Sequence, residues 1–304
     1  MSSGKNDKNV DSRVSKGMGI VSEIMDILEN ISLGPYYFHV AILLRNSLLV
    51  NGMLYNTDVW YNLSSRDIKE LSDVDKHFLG RILRTPNSTP HESLYLELGI
   101  DEFDVILSKR RLLYFHDVIT RRKKDMLYRF ILAQWHDGIR GDWTEMVKTD
   151  LCRFDIKEDL TYLQTLKKPE FRRMVMLQAK RVSLENLTRK QSTHSKLKNI
   201  KYKELKMQNY FQDKTIPLEL KRIIFMFRTH MARFKLNYKS SYQEYSCFLC
   251  MLHEDDQKSS MMCPNIFKQN EITAKYEDIY KDNIPMDLAN ALWKMTKTRN
   301  DLIQ

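Results

Sequence analysis

Glycine and proline are scarce in this chain of 304 residues, which contains nine of the first and seven of the second. Proteins rich in β-strands need both at their many tight turns, and no stretch alternates apolar and polar side chains as a half-buried strand does. Residues that favour helices, such as Leu, Lys and Glu, are abundant, and 42% of the chain is hydrophobic, enough for a packed core. The sequence therefore predicts an all-α fold.

The chain is also poor in cysteine and in uninterrupted apolar runs. Four cysteines do not make a disulfide framework, so we expect a reducing compartment, nuclear or cytoplasmic. The polar N-terminus is unlike a signal peptide. Residues 36–55 are the best candidate for a membrane span, but polar side chains interrupt them. This pattern favours a buried helix of a soluble protein with no membrane partner.

Acidic residues are scarce in one region of the chain. Residues 167–239 hold 20 Lys and Arg but five Asp and Glu, a net charge of +15 within a chain whose total is +10. Pairing inside the region cannot neutralise this excess, and aromatic residues lie among the cations. The pattern favours a polyanion partner such as a nucleic acid. The alternative is a solvated helical face.

The candidate contacts in this basic region are cations that attract phosphates and tyrosines on which bases stack. They are Arg172, Arg173, Lys180, Arg181, Lys201, Lys203, Lys206, Tyr202 and Tyr210. The four cations from Arg172 to Arg181 span two neighbouring stripes of a predicted helix, so they share one face only roughly.

Helical periodicity and capping signals divide the chain into predicted elements. Isoleucines recur every three or four positions over residues 20–31, and Gly34-Pro35 ends that helix. Residues 64–67 resemble a capping box, and Asp142 is a predicted N-cap of a helix that runs through Leu151. Further helices are predicted near residues 169–190, 197–209, 217–230, 272–281 and 286–298.

These signals and the shift in charge predict four parts of the chain. Residues 1–18 form an N-terminal arm, and residues 19–160 form a helical domain. Residues 161–245 form a basic helical segment, and residues 246–304 hold a cysteine knuckle and the last helices.

Three of the four cysteines fall within the stretch SCFLCMLHEDDQKSSMMCP, at residues 246–264. Cys247 and Cys250 form a CxxC pair and Cys263 follows, which is a zinc-knuckle pattern with one ligand missing. His253 completes the ligand set if the loop folds back, and three thiolates with a water molecule are the other option. A structural zinc ion is the one cofactor that the sequence suggests.

Several blocks of sequence, in this order, resemble the region that follows the catalytic palm in reverse transcriptases of non-LTR (LINE-type) retrotransposons. The blocks are SSGKNDKNVDSRVSKGMGIVSEIMDIL at 2–28, SLYLELGI at 93–100, SKRRLLYFHDVI at 108–119, MLYRFILAQW at 126–135 and the cysteine cluster. The resemblance covers nearly the whole chain. It implies a thumb-like helical bundle, a basic linker and a C-terminal cysteine knuckle.

The resemblance also implies roles for particular residues. It places Lys109, Arg110 and Arg111 in a thumb element, with one or two of them on a backbone phosphate. The alternative is a partly buried ion pair between Arg110 and an acid such as Asp75 or Glu97. The partners implied are RNA, an RNA–DNA hybrid or single-stranded DNA, together with an upstream polymerase palm.

Two departures from the family pattern bear on activity and on zinc. The family's palm carries paired aspartates that bind two metals, whereas the adjacent aspartates of this chain, Asp255 and Asp256, fall in the polar knuckle loop. We therefore assign no catalytic residue and expect no polymerase activity from this chain alone. Ser259 stands near the position of the family's His ligand. This departure leaves open a knuckle that has lost zinc and is held by Phe248, Met261 and Met262.

Two functions from different classes follow. The first is a nucleic-acid-binding C-terminal piece of a reverse transcriptase-like protein, which grips a template or hybrid through its phosphate backbone. The second is an all-α interaction or scaffold piece, or an inactive genomic relic, whose charge only keeps it in solution. No small-molecule substrate is expected in either case.

Overall fold

Helices dominate the computed structural model, which describes residues 7–60, 63–138, 141–194, 197, 200–235, 237, 244–247, 249–267 and 274–303. Within these ranges the backbone forms no β-strand, and the strand-like pairing amounts to two isolated bridges, Leu98–Met207 and Ser246–Glu254. The predicted all-α class is confirmed. No helix among the same residues is both long enough and apolar enough to span a bilayer.

Thirteen stretches of α-helix follow one another along the described chain. They are α1 (Asp7–Asn30), α2 (Tyr37–Leu44), α3 (Asn51–Met53), α4 (Ser65–Leu83), α5 (His91–Leu98), α6 (Phe103–Ile119), α7 (Met126–Asp137), α8 (Trp143–Arg153), α9 (Leu160–Thr165), α10 (Lys168–Ser192), α11 (Asn209–Gln212), α12 (Leu218–Arg228) and α13 (Met286–Ile303). A π-helix spans Arg45–Val50, and 3₁₀-helices span Gly34–Tyr36, Thr57–Val59, Ser259–Met262 and Tyr276–Tyr280.

Polar side chains start several of these helices, two of them as the sequence predicts. Ser64 and Asp67 form a capping box at α4: the Ser64 amide donates to the Asp67 carboxylate at 2.8 Å, and the Asp67 amide donates to Ser64 Oγ at 3.1 Å. Asp142 accepts from the Glu145 amide at 2.8 Å and so caps α8. Asp125 caps α7 in the same way.

Three predicted elements differ in the structure. The arm predicted at 1–18 is wrong from Asp7 onward, because α1 begins there and buries Val10 and Val21 on one face. The helix predicted at 197–209 is also wrong. Residues 201–208, here called the strap, are irregular and pair with the end of α5, where the Gln208 amide donates to the Glu97 carbonyl at 3.0 Å. The helix predicted at 272–281 is a shorter 3₁₀-helix at Tyr276–Tyr280.

The chain divides into two compact units whose bounds do not follow the four predicted parts. The first unit comprises residues 1–30, 42–78 and 100–187, and the second comprises 31–41, 79–99 and 188–304. The predicted basic segment at 161–245 is therefore shared between the units, because α10 begins in the first unit and ends in the second.

The first unit has an aromatic core between α6, α7, α8 and the first half of α10. Phe115 of α6 stacks on Trp135 of α7, with ring centroids 5.1 Å apart. Phe171 of α10 stacks on His116 of α6 at 4.2 Å. Burial of such rings contributes about 1.5–3 kcal/mol each, so this core fixes α10 by its apolar face.

Phenylalanines of α2, α11 and α12 pack against one another in the second unit. Phe211 contacts Phe38 at 4.6 Å and Phe225 at 6.4 Å between ring centroids. The strap closes against α5 at Gly99, whose φ of +66° ends that helix. A Cβ at Gly99 would lie 2.0 Å from the carbonyl carbon of Lys206, so this contact requires glycine.

Candidate nucleic-acid interface and cysteine cluster

The outer face of α10 carries three exposed cations of the candidate set. Arg172, Arg173 and Lys180 are exposed and have no ion-pair partner within the part of the chain that the structure describes. At about 100° per residue they fall within an arc of roughly 100° of the helix. Met176 lies within this arc, and Leu177, which is 69% exposed, lies about 40° beyond Arg173. The face therefore combines free positive charge with apolar surface.

The inner face of α10 explains why these cations point outward. Phe171, Val175, Ala179 and Val182 recur at helical spacing and are buried in the core of the first unit. Arg181 lies beside this exposed face but differs from the other three, since it hydrogen-bonds Gln178 and Glu185. Exposed ion pairs of this kind contribute about 0–1 kcal/mol to stability. Arg181 is therefore a surface cation whose charge is partly neutralised by Glu185.

The three consecutive cations of α6 have different surroundings. Lys109 pairs with Asp101 at 2.8 Å. The guanidinium of Arg110 donates to the Leu54 carbonyl at 2.9 Å and to Asn51, and burial lowers its pKa while Asp58 partly offsets that effect. The predicted pairing of Arg110 with Asp75 or Glu97 is therefore wrong.

Asp75 and Glu97 each hold a different arginine. Within the first unit, Asp75 pairs with Arg45 through two hydrogen bonds of 2.7 and 2.6 Å. Within the second, Glu97 pairs with Arg228 at 2.9 Å. Arg111 is buried and pairs with Asp150. Its assignment to a phosphate-binding surface is corrected accordingly, because its guanidinium does not reach solvent.

The lysines of the strap are exposed in the second unit. Lys201, Lys203 and Lys206 all face solvent, and Lys206 lies 3.4 Å from Glu204. The strap backbone is held at its end by the Leu98–Met207 bridge. These lysines therefore project from an anchored segment.

The two candidate stacking residues, Tyr202 and Tyr210, bind the carboxylate of Glu97. The Tyr202 hydroxyl donates to Oε1 at 2.6 Å, and the Tyr210 hydroxyl donates to Oε2 at 2.8 Å. Burial, followed by the charge of Glu97, raises the pKa of both phenols well above their usual range. Tyr210 is fully buried and Tyr202 is partly buried. Their assignment as base-stacking rings is corrected to a structural one.

Helix α12 buries three cations of the basic region. Lys221 Nζ donates to the carbonyls of Pro35 and Phe211 at 3.2 and 2.8 Å. Arg222 Nε donates to the Ile82 carbonyl at 3.0 Å, and Arg228 binds the carbonyls of Ile279 and Lys281. Each of these side chains satisfies backbone oxygens at the ends of other segments, including the last turn of α4.

The three clustered cysteines meet in space. The Sγ atoms of Cys247, Cys250 and Cys263 lie within 4.8 Å of one another. The Cys250 sulfur accepts backbone N–H groups of Leu252 and His253. Burial alone would raise the pKa of that thiol, but these bonds and those with Cys263 and Cys247 together outweigh burial and lower it. Burial is the main cause that raises the pKa of Cys263 to about 11. Amide donors at a sulfur favour the thiolate that binds metals.

His253 and Ser259 lie near the cluster in sequence but do not join it. The side chain of His253 is exposed and is not among the ligand atoms that converge, while its carbonyl accepts the Cys247 amide at 2.7 Å. Ser259 binds Asp256 through its amide and its hydroxyl, at 2.7 and 3.1 Å. The described residues thus supply three sulfur ligands, one fewer than structural zinc usually has.

The apolar cluster predicted for a knuckle without zinc is only partly visible. Met261 is partly buried, whereas Met262 is 62% exposed. Phe248 lies outside the described residues. Met251 and Leu252 are exposed as well, although Cys247 and Cys263 are buried.

The adjacent aspartates of the knuckle loop are engaged by protein donors. Asp255 is buried and receives two hydrogen bonds from Arg299 of α13, at 2.7 and 3.0 Å, and one from the Lys235 amide at 2.9 Å. Asp256 caps the turn that holds Ser259. Sequence reasoning missed the Asp255–Arg299 pair because the partners are 44 residues apart. The pair anchors the cysteine loop to α13.

The chain matches no protein-family model, no curated protein and no solved structure. The resemblance to reverse transcriptases of non-LTR retrotransposons therefore stays a prediction.

Proposed function

We propose that the chain binds single-stranded or hybrid nucleic acid through the phosphate backbone. The observation that supports this most is the outer face of α10, where Arg172, Arg173 and Lys180 are exposed without ion-pair partners in the described chain. Unpaired surface cations attract a polyanion, and contact with phosphates releases condensed counterions. The lysines of the strap form a separate basic segment of the second unit.

The proposed recognition carries little sequence information. Arginine and lysine on phosphates position a nucleic acid without reading its bases. The tyrosines predicted to stack on bases instead bind Glu97. We propose that this binding serves a longer reverse transcriptase-like polymerase. In that polymerase, this chain would bind the nucleic acid and would not supply catalytic residues. The engagement of Asp255 and Asp256 by Arg299 and Ser259 supports that division of labour.

Neutralising the α10 face by R172Q, R173Q and K180Q is expected to flatten the salt dependence of binding. If the wild type contacts about six phosphates, log K falls with log salt at a slope of about −4, and removing three contacts changes the slope to about −2. The loss of affinity between about 50 and about 200 mM salt then drops from about 10²-fold to about 10-fold. Fluorescence anisotropy of a labelled oligothymidylate across this salt range measures both quantities.

The matched control removes the same charge from exposed helical positions elsewhere. Lys16, Lys69 and Lys297 are exposed, and their replacement by glutamine is expected to leave the slope near that of the wild type. Equal effects of the two triple variants would mean that net charge, not the α10 face, governs binding. No binding by the wild type at either salt concentration would leave the scaffold function in its place.

We further propose that the cysteine cluster holds a structural zinc ion through three thiolates. When bound, the ion would cross-link the two ends of the 247–263 loop. The convergence of three sulfurs and the amide donors at Cys250 support this proposal. With one protein ligand short of four, the fourth position falls to water or to His253 after movement of the loop.

Zinc is expected to bind weakly, so that dialysis at neutral pH leaves less than one ion per chain. Replacing Cys250 by serine is expected to abolish what remains, because two thiolates do not make a structural site. A chromophoric chelator measures the zinc released from each protein. Replacing the isolated Cys152 by serine is the matched control. One tightly held ion that is lost on His253→Ala would instead show that His253 is the fourth ligand.

A further inference from the structure

We propose a second single-strand contact at the start of α7, which rests on the nucleic-acid function proposed above. It consists of Arg122, Lys123 and Lys124 with the exposed side chains of Met126 and Phe130, and we call it the α7 corner. Phosphates bind the three cations, and an unpaired base stacks on Phe130. The site belongs to the first unit and lies outside the basic region at 167–239.

Three of the four consecutive cations before α7 have unmatched charge. Arg121 lies 3.5 Å from Asp117 and 3.7 Å from Asp125, so its charge is already paired. Arg122, Lys123 and Lys124 are exposed, and none of them has an ion-pair partner in the part of the chain that the structure describes. Because acids neutralise only the first member of the run, the rest remains available to an external anion.

The turn that carries these cations is held against α7 by backbone hydrogen bonds. The Asp125 amide donates to the Arg122 carbonyl at 2.9 Å, and Arg129 Nε donates to the Lys123 carbonyl at 3.1 Å. Asp125 also caps the helix by accepting the Leu127 amide at 2.9 Å. An ordered turn loses less conformational entropy when it binds than a loose one does.

Phe130 offers the flat apolar surface that an unpaired base requires. Phe130 is 57% exposed, and Met126, four residues earlier on the same face of the helix, is 85% exposed. The opposite face of α7 is buried through Tyr128, Ile131 and Trp135. The Phe130 ring is thus left out of the core, and it lies six residues after Lys124 in the sequence.

The small size of this apolar surface favours a nucleic acid over a membrane. A helix that lies in a bilayer interface needs a broad apolar face. Beyond Phe130, the exposed residues of α7 are Ala133, His136 and Asp137. One ring beside three cations matches the pairing of stacking platform and phosphate groove found in single-strand binders.

Phe130→Ala in the full chain is expected to weaken binding of oligothymidylate by at least about fivefold without changing its salt slope, because a stacked ring carries no charge. Phe130→Trp is expected to restore the affinity. R122Q with K123Q and K124Q is expected to make the slope shallower by about 2. Tyr55→Ala, which removes another exposed ring of the first unit, is the matched control and is expected to have no effect.

Further measurements locate the ring contact and separate this proposal from the wider function. An oligonucleotide that carries 5-iodouracil is expected to crosslink, on irradiation, to the peptide that contains Phe130. Binding that depends on the α10 cations but not on the α7 corner would overturn this proposal and leave the wider function standing. Absence of all binding overturns both. Binding to phosphatidylserine vesicles that depends on Phe130, without a matching effect on oligonucleotides, would identify a membrane surface and overturn the single-strand contact.

Discussion

Gly99→Ala is expected to lower the free energy of unfolding by about 2–5 kcal/mol, the sum of two costs. A positive φ costs an alanine about 1–2 kcal/mol, and Gly99 has a φ of +66°. A crowded Cβ costs about 1–3 kcal/mol more, because it would lie 2.0 Å from the Lys206 carbonyl carbon and 2.1 Å from the Met207 amide nitrogen. A side chain can relieve such a clash by changing its rotamer, but backbone atoms cannot, so the whole strap must move. Urea denaturation followed by circular dichroism measures the change.

Gly138→Ala is the matched control for this variant. Gly138 ends α7 with a φ of +62°, but among the described residues, apart from its chain neighbours and the backbone of its own helix, no atom lies within 4 Å of the position of its Cβ. It therefore carries only the conformational cost of about 1–2 kcal/mol. Equal losses in the two variants would show that the approach of the strap to α5 is not a tight contact in solution.

Glu97→Ala is expected to cost about 3–5 kcal/mol, since it leaves a buried cation without its partner. Glu97 and Arg228 are both inaccessible to solvent, and the Glu97 carboxylate also accepts the hydroxyls of Tyr202 and Tyr210. Removal of this single side chain leaves three donors without an acceptor. Thermal and urea denaturation are the measurements, and loss of cooperative unfolding is the extreme result.

Two further variants test the explanation for Glu97→Ala. Glu70 pairs with Arg66 on the surface, so Glu70→Ala is expected to cost less than about 0.5 kcal/mol. Adding Arg228→Met to Glu97→Ala is expected to recover part of the lost stability, because the unpaired charge is gone. If Glu97→Ala proved as mild as Glu70→Ala, the buried pair would not be a stabilising centre of the second unit.

Local patterns in the sequence predict much of the helical structure. The capping box at residues 64–67 and the N-cap at Asp142 are short-range signals, and the structure confirms both. It also confirms the helices predicted near residues 169–190 and 217–230. The arm predicted at 1–18 fails because its polar composition obscured Val10, which shares a buried helical face with Val21. The strap fails as a helix because its backbone pairs with a segment about 100 residues earlier in the chain.

For the candidate sites as well, short-range sequence signals were predictive and long-range contacts were not. CxxC spacing and a third cysteine sufficed to predict that Cys247, Cys250 and Cys263 meet. The roles of Arg111, Tyr202 and Tyr210 were not predictable, since their acidic partners lie 39, 105 and 113 residues away. A basic or aromatic residue looks the same in a sequence whether it faces solvent or a buried carboxylate.

The three buried cations of α12 affect how mutagenesis of the basic region should be interpreted. The side chains of Lys221, Arg222 and Arg228 donate hydrogen bonds to backbone carbonyls of neighbouring segments and hold those segments in place. Substitution of these residues would therefore destabilise the second unit even in the absence of a ligand. A systematic alanine scan across residues 167–239 would therefore record a cluster of strong binding defects at α12 that reports misfolded protein. Only a fold assay run beside each binding assay distinguishes these anchors from residues that touch a nucleic acid.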